Sequence, residues 1–242
     1  MTLQDLLADD PRFHVGAGGE TISHYRLDRP TLVFLDAHLR PGMRTIETGA
    51  GMSTVLFALK GTAHTCIVPD EPQIARIRAY CARKGVPLEQ VRFLPDRSEC
   101  ALPMIRAADY DLALIDGRHA FPTPFIDWFY LAQAIRVGGT IIIDDLHIWT
   151  CDVLRRFLRS EPEDWESVSV SNRAAIFRKL GSQAFAREWT QQPFVTHRSA
   201  WGSTVAKIGQ AWDHVAHGKA GLVPYLFAPA LAHRLARARR RG

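Results

Sequence analysis

Three short stretches hold the side chains best suited to chemistry. In Ile46-Glu47-Thr48-Gly49-Ala50-Gly51-Met52-Ser53-Thr54 an apolar run ends in an acid and a Gly-x-Gly turn, and the helix-compatible residues Val55 to Leu59 follow. Asp116 opens an Asp-Gly-Arg-His stretch that ends in His119, directly after a strand-like apolar run. Asp144, Asp145 and His147 follow a second such run, Thr140 to Ile143. Glycines in a strand-to-helix turn permit positive φ and let a ligand press against bare backbone. An acid beside them suits a cationic ligand better than a phosphate. A dinucleotide turn would carry a third glycine three residues after the second, where Thr54 stands. Convergent carboxylates raise one another's pKa unless a cation lies between them, and such oxygen ligands suit Mg²⁺ or Ca²⁺. A neutral imidazole beside them can take a proton.

Strand-like and helix-like segments alternate from about residue 30 to 180, which predicts a parallel sheet covered on both faces. Leu32, Leu35 and Leu39 recur at helical spacing in a helix over Pro30 to His38, ended by Pro41-Gly42. Strands are expected at Arg44 to Thr48, Ala63 to Val68, Val91 to Leu94, Tyr110 to Ile115 and Thr140 to Ile143. The almost wholly apolar Tyr110 run is expected at the centre. Helices are expected at Ile74 to Lys84, closed by Gly85, at Glu99 to Ala107, at Phe125 to Arg136, stopped by Gly138-Gly139, and near Val153 to Leu158. Trp165 to Val170 and Ala174 to Lys179, separated by Ser171-Asn172-Arg173, read as a hairpin. In a parallel sheet Asp116, Asp144 and Asp145 then emerge at one carboxyl edge, where ligands bind. Each also has a plainer use: Asp116-Gly117 as a turn, Asp144 and Asp145 as helix caps.

The acid-x-Gly-x-Gly loop, followed by five βα units and a terminal hairpin, resembles the class I S-adenosylmethionine-dependent methyltransferases over roughly residues 30 to 180. The Asp-Gly-x-His and Asp-Asp stretches resemble the bacterial O-methyltransferase-like group of that family. The resemblance implies an α/β, Rossmann-like seven-stranded sheet, mostly parallel with a C-terminal antiparallel hairpin and helices on both faces. It implies that Gly49, Gly51 and the backbone around Ala50 touch the methionine part of the cofactor, that Glu47 holds its amino group directly or through water, and that Ser53 belongs to the cofactor set. The family's ribose-binding acid falls on Val68, which cannot serve; Asp70 or Glu71 is the nearest substitute. Ser98 would lie near the adenine, with Asp96 and Glu99 close by, although Asp96 and Ser98 equally suit capping of the next helix. Asp116 belongs to the cofactor and catalytic sets, and Asp116, Asp144 and Asp145 would bind Mg²⁺. That metal would lower the pKa of a substrate hydroxyl, with His119 as general base and His147 as second candidate. A metal-free version would leave Asp116 or His119 to act alone. Phe121, Pro122, Pro124, Trp128 and Trp149 are equally candidates for an acceptor wall and for packing.

The chain of 242 residues, 47% hydrophobic, is large enough for one α/β domain with an appendage. Residues 1–40 read as a helical lead-in, 41–180 as the cofactor-binding domain and 181–242 as a helical extension with a basic tail. The acidic start MTLQDLLADD and four scattered cysteines without a CxxC pair point to a cytoplasmic protein with reduced core thiols. The formal charge of +5 is concentrated in HRLARARRRG. That cluster suits a solvated helix end and leaves open a peripheral contact with acidic lipid. No aromatic-interleaved basic strand suggests nucleic acid. The expected partner is a small-molecule hydroxyl acceptor, and a homo-oligomer stays open. The rival readings are an NAD(P)-dependent oxidoreductase, opposed by Thr54 and the hairpin, and a non-catalytic S-adenosylmethionine-binding or membrane-associated module.

Overall fold

The computed structural model describes residues 1–16, 21–22, 27–105, 109–171, 173–219, 223 and 226. The basic tail, Ala107 and Asn172 lie outside the described residues. Contacts divide the chain into two compact units, Met1–Ala186 and Arg187–Gly242.

In the first unit α1 (Leu3–Asp9) precedes the short strands β1 (His14–Val15) and β2 (Thr21–Ile22), which pair antiparallel. The alternating part follows: α2 (Arg29–His38), β3 (Arg44–Thr48), α3 (Met52–Leu59), β4 (Ala63–Ile67), α4 (Glu71–Lys84), β5 (Val91–Leu94), α5 (Ser98–Ala101), β6 (Tyr110–Ile115), α6 (Thr123–Ala134), β7 (Ile135–Ile143) and α7 (Trp149–Arg159). The hairpin β8 (Trp165–Val170) and β9 (Ala175–Lys179) completes the sheet. Its order is β5-β4-β3-β6-β7-β9-β8, with β9 antiparallel to both neighbours and the remaining pairs parallel. The apolar Tyr110 strand is central, as its sequence requires. Successive side chains of that strand point to opposite faces. Leu112 and Leu114 join the core with Leu35, Val55 and Phe57, while Ala113 and Ile115 join the core with Leu131 and Leu154.

Three expected boundaries move. The helix after β4 begins at Glu71, a turn earlier, because Asp70 caps it by accepting from the Gln73 N–H and Pro72 occupies its first turn. The Glu99 to Ala107 helix reduces to α5 and a 3₁₀ turn at Leu102–Met104, since Pro103 offers no backbone N–H to continue the α pattern. The Phe125 to Arg136 helix ends at Ala134, and Ile135 to Gly139 become the start of β7. Ile135 pairs with Tyr110, and Gly138 takes φ +81° to bring the chain round. Of the cysteines, Cys66, Cys81 and Cys151 are buried and Cys100 is exposed.

The second unit contains a 3₁₀ turn at Trp189–Gln191 and the helix α8 (Pro193–Ala216), on which Trp201 and Trp212 are exposed. Among the described residues no helix is long and apolar enough to cross a membrane.

Candidate active site

The ends of β3, β6 and β7 are adjacent in register, Thr48 beside Ile115 and Ile115 beside Ile143. The loops that leave them are stitched together by backbone: the Asp116 N–H donates to the Thr48 carbonyl at 3.1 Å and the Asp144 N–H to the Ile115 carbonyl at 3.0 Å. Gly49 takes φ +91°, and a Cβ there would lie 2.1 Å from the Asp116 carbonyl oxygen. Only glycine meets both demands. A cavity of about 620 Å³ opens over this edge, bounded below by Thr48, Gly49 and Ala50 and on one side by Asp116, His119, Asp144 and Asp145. Val68, Pro69 and Ser98 line another part of it.

The acidic side is not three converging aspartates. The carboxylate and imidazole atoms that come within 4.8 Å of one another belong to Asp116, His119 and Asp145. Asp145 accepts from His119 Nε2 at 3.0 Å and from Arg173 at 2.6 Å, and these two cations hold its pKa at about 2 against burial. Burial by itself would lower His119, but the bond to Asp145, with help from Cys151, outweighs it and lifts the imidazole to about 10. The ring meets Cys151 Sγ through Nδ1 at 3.4 Å, and the Thr150 hydroxyl donates to the His119 backbone carbonyl at 2.6 Å. Burial, then repulsion from Asp145, raises Asp144 to about 7. Burial, then repulsion from Asp144, also raises Asp116 well above the carboxylate range, and the nearby His119 opposes that rise. Asp144 and Asp145 do not cap α7, whose N-cap position is Ile148.

Of the expected Mg²⁺ set, Asp116 and Asp145 come together with His119 in a group able to hold a metal ion, and Asp144 lies outside that group. Asp145 has an oxygen on each of two cationic groups, and the donors actually gathered mix a nitrogen with the oxygens that Mg²⁺ prefers. The same bond to Asp145 raises the proton affinity of His119, which favours the imidazolium over the neutral ring that a base requires. His147 approaches Asp145 at 3.5 Å, but its side chain is 58% exposed and lies outside the cavity lining.

The cofactor residues divide. Gly49, Ala50, Ser98 and Asp116 line the cavity; Glu47, Gly51, Ser53, Asp70 and Asp96 do not. Glu47 is fully buried beneath the loop, where Thr54 and His64 hydrogen-bond to it. Asp70 caps α4 and pairs with Arg76, and Asp96 accepts from the Arg97 N–H. Trp128 stacks on Phe185 at 5.2 Å and packs on Phe157, so it is core, whereas Phe121 and Trp149 are exposed.

Sequence reasoning missed three lining residues, Gln73, His14 and Arg173, and one supporting residue, Cys66. Gln73 donates to the Ala50 carbonyl at 2.6 Å and so braces the glycine loop from α4. His14 comes from β1; a Cβ on Gly51 would lie 3.5 Å from its ring. Arg173 sits between β8 and β9, far along the chain from its partner Asp145. Cys66, kept a thiol by burial and then by Glu47, donates to the Gly49 carbonyl at 3.3 Å. Its position opposite Glu47 in the sheet, Glu47↔Cys66, was the available signal for that contact.

Residues 46–146 match the family model described as "Methyltransferase domain". No protein of curated function matches the sequence. Among solved structures, the chain is similar to the O-methyltransferase TomG from Streptomyces achromogenes in complex with SAM: TM-score 0.58 at 17% identity, over 73% of this chain and 90% of that one. Cofactor-bound Rv0187 from MTB gives a TM-score of 0.56 at 16% identity, over 74% and 90%. An rRNA methylase from Streptococcus thermophilus gives 0.52 at 15% identity, over 64% and 99%. At such identities the likeness establishes the sheet and its order, and relatives named for different acceptors share it.

Proposed function

We propose that the chain, whose residues 46–146 match a methyltransferase domain and whose sheet is shared with cofactor-bound methyltransferases, is a class I S-adenosylmethionine-dependent methyltransferase that methylates a hydroxyl oxygen of a small molecule without a metal ion. The observation that carries this reading is the contact of Gly49 with Asp116, which sets the cofactor turn directly against the acidic rim. The methionine end of the cofactor lies on the backbone of Gly49 and Ala50, and the adenine lies toward Val68, Pro69 and Ser98. The sulfonium is already activated, so the protein chiefly aligns nucleophile, methyl and leaving sulfur. The acceptor oxygen attacks the methyl carbon, the C–S bond breaks with its electron pair going to sulfur, and the hydroxyl proton passes to the Asp116–Asp144 pair. Carboxylates with raised proton affinity suit that task better than ordinary ones. His119, held as an imidazolium by Asp145, favours the oxygen as it gains negative character.

Thr54 supports this cofactor over a dinucleotide. Its hydroxyl fills the third-glycine position, accepting from the Gly51 N–H at 3.0 Å and donating to Glu47. Calorimetry with S-adenosylmethionine is the first test, and an absence of binding at about millimolar cofactor removes the reading. Methyl transfer from labelled cofactor to a panel of phenols, sugars and ribosomal RNA separates acceptor classes. Incorporation into RNA alone would overturn the small-molecule part.

A further inference from the structure

Beneath the glycine loop lies a chain of buried hydrogen bonds whose proton count can be closed. The Thr62 hydroxyl donates to the Phe57 carbonyl at 3.1 Å, so its single hydrogen is committed. It therefore accepts at its 3.0 Å contact with Thr45, which commits the hydrogen of Thr45 in turn. Thr45 lies 2.8 Å from His64 Nδ1 and has no hydrogen left to give, so Nδ1 must be the donor there. On the other side of the ring, Nε2 lies 3.1 Å from Glu47 Oε1, and a contact of nitrogen with carboxylate oxygen needs a proton between them. Glu47 also accepts from Thr54, which accepts from the Gly51 N–H. Thr45, Glu47, Thr54, Thr62 and His64 are all at most 1% exposed. The imidazole also lies flat on Phe57, with centroids 4.2 Å apart and planes 11° apart, a stacking that favours a cationic ring.

We infer that His64 is a positioning residue for the cofactor loop: with Glu47 it forms a net-neutral, proton-sharing pair that orients the Thr54 hydroxyl and through it the Gly51 N–H. The acid of the acid-x-Gly-x-Gly loop then acts on geometry, not as a counter-charge to the cofactor's amino group. A lone buried carboxylate would be costly; the imidazole proton offsets that cost at Oε1, which takes both bonds, while Oε2 has no hydrogen-bond partner among the described residues. The inference rests on the cofactor reading above only where it concerns binding.

The test has two arms. In the wild-type protein without cofactor, ¹⁵N NMR of the histidine side chains, with His64 assigned by its loss in His64→Gln or by its slow exchange, is expected to show a proton on Nδ1. A bare Nδ1 overturns the inference whatever the protein binds. In calorimetry below the melting range, Thr54→Val is expected to weaken S-adenosylmethionine binding about tenfold and to lower the thermal midpoint by a few degrees, and Thr54→Ser to restore both. Unchanged affinity in Thr54→Val, beside normal binding by wild type, also overturns it. Failure of the wild-type protein to bind removes the cofactor reading instead, and the NMR arm still decides the proton. His64→Gln is expected to lose stability that the double variant with Glu47→Gln recovers, since neither then leaves a charge unpaired.

Discussion

Gly49 meets Asp116 so closely that a single added carbon would sit 2.1 Å from the Asp116 carbonyl oxygen. Two loops from neighbouring strands thereby share one seat. Gly49→Ala combines that backbone clash with strain at φ +91° and is expected to cost about 2–4 kcal/mol of stability and to abolish cofactor binding. Gly42→Ala is the control: its φ is +79° but nothing lies within 4 Å of the new carbon, so strain alone, about 1 kcal/mol, should appear. Thermal melts and calorimetry on both variants check the pair.

The pH profile of turnover should identify the base. A carboxylate must be deprotonated to accept the acceptor's proton, so the rate is expected to rise as pH passes through about 7, where Asp144 titrates in company with Asp116. Asp144→Asn removes a repelling neighbour of Asp116 and should move the rising limb down by about one unit. His119→Gln removes a cation that holds Asp116 down and should move the limb up. Loss of the limb in His119→Gln would return the base to the imidazole.

Because Asp145 is held by His119 and Arg173, methyl transfer is expected to survive exhaustive chelation within about twofold. Activity lost to a chelator and restored by Mg²⁺ would show that the cations on Asp145 give way to a metal.

Asp127 offers a stability test just behind the cavity wall. It is fully buried on α6, and neither oxygen makes a hydrogen bond of good geometry among the described residues. Burial lifts its pKa to about 6, with the neighbouring Ser98 and Thr48 hydroxyls opposing the rise. The folded-state value lies above the unfolded one near 3.9, so stability is greatest below about pH 4, falls as pH rises to about 6 and then levels. Asp127→Asn should match wild type near pH 4 and exceed it by about 2–3 kcal/mol near pH 8. Urea unfolding at the two pH values measures this, and equal stabilities at the higher one would mean that the carboxylate is satisfied.

The sheet was legible because period-two burial and glycine turns are local. Arg44 to Thr48, Val91 to Leu94, Tyr110 to Ile115 and Trp165 to Val170 fall where the residue pattern puts them. The side of the loop that Glu47 faces was not local. Acid-x-Gly-x-Gly reads the same whether the carboxylate points up at a ligand or down into the core. The clue lay across the ladder, where Thr45 and Glu47 stand opposite His64 and Cys66 and place four polar side chains on one buried face. Arg173 was hidden for a related reason: its ion pair joins the hairpin to the loop after β7, a closure that no spacing records. The α6 boundary moved because pairing of Ile135 with Tyr110 outweighed helical spacing.

Val68 and Pro69 line the cavity at the place where the resemblance to the methyltransferases implies an acid for the cofactor's ribose. Aliphatic groups there offer hydrocarbon contact but no acceptor for the two hydroxyls. On the proposed cofactor reading these two side chains do not select for the sugar, and adenosyl compounds altered at the 2′ or 3′ carbon should compete with S-adenosylmethionine on nearly equal terms.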